Sequence, residues 1–130
     1  MRWLFKLVIL SFLLTVSTGE LRAQTNKGKC GIVVADVSCV QLLGYLTSYA
    51  VTFKNNAERT ADGIYFRVVF YNNEGRRISE SEEAFNSSTW VDPIGPGTTK
   101  VIVRSPNIKG ASKAVVVVDR AHFVNGESCR

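Results

Sequence analysis

Apolar and polar positions alternate through most of this chain, in short blocks separated by turn formers. Between Tyr45 and Phe53, residues Tyr45, Thr47, Tyr49, Val51 and Phe53 fall on one side of an extended segment, because strand side chains point to opposite faces with period two. Between Gly63 and Tyr71, residues Ile64, Phe66, Val68 and Phe70 do the same. The pattern predicts strands over about 31–40, 45–54, 63–71, 98–104 and 114–124, with a shorter one that starts at Arg76-Arg-Ile78 and fades by Glu80. Asn55 to Gly63 is rich in turn formers, and Asn72-Asn-Glu-Gly75 carries the Gly that a hairpin or bulged turn requires. Residues 81–95 read as the least regular stretch, closed by Pro93-Ile-Gly-Pro-Gly97. Four consecutive valines, Val115 to Val118, predict burial on both faces, since exposed at an edge they would promote aggregation. Residues 24–30, polar with Gly and Lys, read as a flexible lead-in, and no amphipathic helix or repeat stands out. Six or seven short strands at this spacing predict an all-β fold, an immunoglobulin-like antiparallel β-sandwich of about seven strands.

The N-terminus departs from this pattern. Arg2 and Lys6 precede a mostly apolar run, Leu7 to Val16, and a small residue, Ala23, follows a polar stretch. This is the layout of a secretory signal peptide over residues 1–23, which leaves a single domain over 24–130. Cleavage nearer Gly19 is the alternative. A retained anchor would need about 20 apolar residues, so no stable membrane span is expected after removal. Cys30 follows Lys27-Gly-Lys29, which argues against a lipid anchor. The net charge of +5 falls to +3 without residues 1–23, which hold three of the sixteen bases and one of the eleven acids. No basic run interleaved with aromatics exists, so nucleic acid is not an expected partner.

Export gives the three cysteines a meaning. Cys30, Cys39 and Cys129 would enter an oxidising compartment, where one pair forms a disulfide and one thiol is left. A continuous strand over Ile32–Val37 would hold Cys30 and Cys39 too far apart to bond. Cys129 is therefore the common partner: with Cys39 if the first and last strands run parallel, with Cys30 if they run antiparallel. The sandwich topology favours Cys39–Cys129. A zinc site from the three cysteines and His122 lacks the close Cys pairs that such sites show, so no metal or other cofactor is expected.

One segment, about residues 45–104, resembles the bacterial FxLYD-type domains. A strand ends in Phe53-Lys-Asn-Asn56, the next in Phe70-Tyr-Asn-Asn-Glu-Gly75, and Pro96-Gly97 precedes a later one. Asn72 stands where that pattern has Asp. The resemblance implies a small extracytoplasmic sandwich in the cell envelope, and it carries over no catalytic residue.

Candidate chemistry is sparse. His122, the only histidine, lies near Asp119 and Arg120, but no nucleophile motif accompanies it. An enzyme would need a cleft that joins His122 to a carboxylate. Glu80, Glu82 and Glu83 read as a solvated loop rather than as paired catalytic carboxylates or a calcium site. Phe85, Trp90 and Ile94 sit in the irregular stretch, where aromatic residues can anchor a partner; Trp90 closing one end of the core is the competing reading. No catalytic residues are assigned. The expectation is a secreted or periplasmic, non-enzymatic binding or structural module of the cell envelope, with a protein or envelope component as partner. The alternative is a secreted inhibitor or effector that blocks a hydrolase with the 93–97 loop.

Overall fold

The computed structural model describes residues 25–87 and 92–130. The expected signal segment and Trp90 lie outside the described residues. Eight strands are present among them: β1 (Ile32–Leu42), β2 (Tyr45–Asn55), β3 (Ala61–Tyr71), β4 (Arg77–Asn86), β5 (Thr99–Arg104), β6 (Ile108–Lys109), β7 (Lys113–Phe123) and β8 (Ser128–Cys129). They form two antiparallel sheets. One has the order β1-β2-β5, with β6 also paired to β2; the other has the order β4-β3-β7-β8. The two inner faces enclose one core and make an all-β sandwich.

The core follows the period-two pattern except where bulges add a residue. Ile64, Phe66, Val68 and Phe70 of β3 are buried, as are Tyr49, Val51 and Phe53 of β2. Phe53 meets Phe66 edge-on at 5.0 Å and Tyr49 meets Phe70 at 5.8 Å, so aromatic pairs join the sheets. Near the start of β2 the alternation slips. Val40 pairs with Ser48 but Gln41 pairs with Leu46, which makes Thr47 the extra residue of a bulge. Leu46 therefore fills the core in place of Tyr45 and Thr47.

Turn chemistry fixes the connections. Asn72 Oδ1 accepts from the amides of Glu74 and Arg76, and Gly75 has φ +80°, a region open to glycine. Asn55 is fully buried. Its Nδ2 donates to the carbonyls of Arg59 and Ile94, and its Oδ1 accepts from the Ala57 amide. One side chain thus organises the β2–β3 turn and ties it to the loop before β5.

Three expectations are corrected. β4 does not fade by Glu80 but continues to Asn86. Its alternation places Phe85, Glu83 and Ser81 against the inner side and Glu82 opposite Arg67 of β3, so the charges decorate a paired strand rather than a solvated loop. The lead-in also pairs: Lys27 bridges Val117 in parallel, with hydrogen bonds to Val116 and Val118, and Asn26 Oδ1 accepts from the Val116 amide. This cover explains the four valines, three of which are fully buried or nearly so.

The third correction is the disulfide, which joins Cys30 to Cys129 and leaves Cys39 free. The lead-in and β8 both lie along the β7 edge that β3 does not occupy, because Lys27 bridges Val117 while Cys129 pairs with Ala121. That juxtaposes Cys30 and Cys129. Cys39 instead belongs to the sheet across the core, where it pairs with Tyr49. Burial raises the pKa of the Cys39 thiol, opposed by a hydrogen bond with the Ala114 backbone.

Candidate functional site

The residues expected to form a contact loop do not do so as a group. Phe85 and Ile94 are packed into the core. Phe85 is the inward residue near the end of β4, and Ile94 is drawn in by its two backbone hydrogen bonds with Ala61. Loop geometry therefore does not present them to a partner.

The outer face of the β4-β3-β7-β8 sheet carries an organised polar array that the strand pattern did not reveal. Two β-bulges build it. In β7, Val118 and Ala121 both point inward and are buried, while the register steps from Tyr65↔Arg120 to Phe66↔Val118. The two residues between them, Asp119 and Arg120, both face outward. In β3, Ala61 pairs with Phe123 and Gly63 pairs with His122, which makes Asp62 the extra residue. Bulges commonly re-aim side chains in this way.

The re-aimed groups find partners. Arg67 Nε donates to both Asp119 carboxylate oxygens, at 3.0 and 2.9 Å, and its Nη1 reaches Glu80 at 3.3 Å. The hydrogen bond to Asp119, and then its charge, hold the Arg67 guanidinium above its ordinary pKa. Arg77 completes this network through Glu80 at 2.5 Å. Asp62 Oδ1 lies 2.5 Å from His122 Nδ1. At Gly63 an added Cβ would come within 3.3 Å of His122 Cβ, so the small residue lets the pair sit close to β3. The Arg120 guanidinium stacks 3.9 Å above the Tyr65 ring, and the Tyr65 hydroxyl meets Asn86 Oδ1 at 3.2 Å. Beside this contact lies an open recess of about 340 Å³ lined by Tyr65, Glu82, Asp119, Arg120 and Arg130, with Phe66 and Glu83 contributing to the lining.

Most of the charges on this face are held in place by their neighbours. His122 and Asp62 form an oriented pair, and Ser128 is the cross-strand neighbour of His122, but among the described residues no hydroxyl or thiol hydrogen-bonds the imidazole. Cys30 and Cys129 are bonded to each other and are not available as thiolate ligands. Among the described residues no group of three or more His, Cys, Asp or Glu is placed to hold a metal ion, and no helix is long and apolar enough to cross a membrane.

Comparison with known proteins gives a fold and no activity. No family model matches the chain, and no curated protein does. Among solved structures, the chain is similar to a hypothetical protein from Peptoclostridium difficile 630, with a TM-score of 0.57 at 8% identity over 80% of this chain and 88% of that one. A DUF1425 family member from Shewanella sp. pv-4 superposes with a TM-score of 0.48 at 14% identity, over 68% and 76%. The first likeness supports the sandwich that the FxLYD-type resemblance implies; at this identity it reaches the fold and not the family.

Proposed function

We propose that this chain is a non-enzymatic binding module of the cell envelope, secreted or periplasmic, and that its contact surface is the outer face of β4-β3-β7-β8. The observation that carries the reading is the pair of bulges. Each disrupts a ladder locally, and each sets a carboxylate against a basic side chain on the same face, Asp119 against Arg67 and Asp62 against His122. Exposed ion pairs add little stability, so such placement is better suited to presenting a rigid charge pattern than to holding the fold. The Cys30–Cys129 disulfide supports an oxidising compartment. The FxLYD-type turns support placement in the envelope and form part of the same proposal.

The test is capture of envelope components on immobilised protein, with the disulfide intact, by wild type and by the double variant Arg67→Ala/Tyr65→Ala. Loss of a specific partner by the variant, with unchanged thermal unfolding, supports the reading. Equal capture by both moves the contact elsewhere. The 93–97 loop of the inhibitor alternative is short and is tethered by bonds from Thr98 and Gly97 to Gly95 and Asn55, which favours the sheet face over it.

A second reading starts from the Asp62–His122 pair, which is the carboxylate–imidazole half of a hydrolytic site. Labelling of Ser128 by a fluorophosphonate probe, abolished by His122→Ala, would support it. The binding reading expects no labelling.

A further inference from the structure

The arginines differ in their partners. Arg59, Arg67, Arg77 and Arg104 each hold a carboxylate. Arg120 and Arg130 make no ion pair among the described residues, yet both line the recess beside Tyr65. Cross-strand register brings them together. His122 faces Ser128 and Ala121 faces Cys129, and Arg130, the residue after β8, follows on the side of Arg120, where both border the recess. Two like charges bordering one recess repel unless an anion lies between them. The Arg120 guanidinium carbon moreover sits 3.9 Å from the Tyr65 ring centroid, a cation–π contact that restrains the guanidinium fork.

Two of the three side-chain carboxylates of the recess are already engaged. Asp119 is taken by Arg67, and Glu83 by Arg104 at 3.6 Å. Glu82 alone lacks an ion-pair partner among the described residues. We propose that Arg120 and Arg130 bind an oxyanion, a phosphate or carboxylate group of the partner, and that Glu82 limits the site to a single anionic group by repelling a second. The proposal deepens the binding-face reading and rests on it. Planar guanidinium forks match both oxyanions, and one of them here is already restrained.

The test is an NMR titration of the isotope-labelled chain, disulfide intact, with inorganic phosphate and separately with acetate at constant ionic strength. The expected result is saturable shifts at Tyr65, Arg120 and Arg130. Arg120→Ala weakens binding by about tenfold, in line with loss of a charge-assisted hydrogen bond. Arg120→Lys, which keeps the charge but not the fork, also weakens it. Glu82→Gln tightens it, and Arg76→Ala, in the β3–β4 turn, leaves it unchanged. Tighter binding of one anion identifies the group. Shifts that stay linear with concentration, or that survive Arg120→Ala, overturn the oxyanion site. Loss of that site leaves the envelope-capture experiment to decide the binding face independently.

Discussion

Tyr49 provides a quantitative test of the core. Its ring is buried between the sheets, and its hydroxyl has no hydrogen-bond partner among the described residues. Burial first, and then the charge of Glu83, push its pKa up to about 12, with Arg104 opposing. An acid with a raised folded pKa stabilises the protein fully below its unfolded value of 10, and that contribution is lost as pH rises through 12. The loss is about 1.4 kcal/mol at pH ~11 and approaches about 2.7 kcal/mol above pH ~12, since one pKa unit corresponds to about 1.36 kcal/mol. Tyr49→Phe keeps the edge contact with Phe70 and removes a buried hydroxyl that lacks a partner. At neutral pH the variant is expected to be as stable as wild type, or more stable by about 1 kcal/mol. Between pH ~9 and ~11 wild type should lose about 1.4 kcal/mol more than the variant does. Urea unfolding at neutral pH, ~9 and ~11, disulfide intact, measures both. A variant clearly less stable at neutral pH, or two parallel pH profiles, would mean that the Tyr49 hydroxyl is not buried without a partner.

Other perturbations follow from the same contacts. Cys129→Ser should cost about 4 kcal/mol by chain entropy, because the bond spans 99 residues; calorimetry would show a much lower Tm, and an unchanged one would contradict the staple. Gly28→Ala should destabilise by about 1–3 kcal/mol, since the new Cβ would lie 2.3 Å from the Ile32 carbonyl oxygen. Hydrogen exchange should then rise at Val116 and Val118, whose cover is the lead-in. Asp119→Asn weakens the Arg67 fork, whose two side chains are partly exposed to solvent, so unfolding should shift by less than about 1 kcal/mol while partner capture falls.

Much of the fold was legible because a sandwich core needs strict alternation, and β3 supplies it from Ile64 to Phe70 without interruption. Turn residues with defined hydrogen-bonding roles, Asn55, Asn72 and Gly75, marked the ends of strands. β4 was less legible because Ser79, Ser81 and Glu83 occupy inward positions, so the hydrophobic alternation disappears although the ladder continues. The disulfide was misassigned because sequence does not show that residues 26–30 cross to the opposite sheet from β1. The outer face was missed for a related reason. A bulge adds one residue and shifts the phase, and its trace is two adjacent polar residues, Asp119-Arg120, between inward Val118 and Ala121. That doublet was visible, but only strand register turns it into a site. Phe85 and Ile94 looked like loop anchors because their neighbours are polar, whereas backbone pairing with β3 and Ala61 places them inside.

The central claim is that the polar sheet face, and not the valine-bearing face of the other sheet, meets the partner. Photo-crosslinking tests it directly, with Tyr65→p-benzoylphenylalanine and Val103→p-benzoylphenylalanine compared in the presence of envelope extract. Val103 is exposed on the opposite face. The account predicts a discrete crosslinked partner from position 65 and none from position 103. A partner captured from position 103 alone would contradict it.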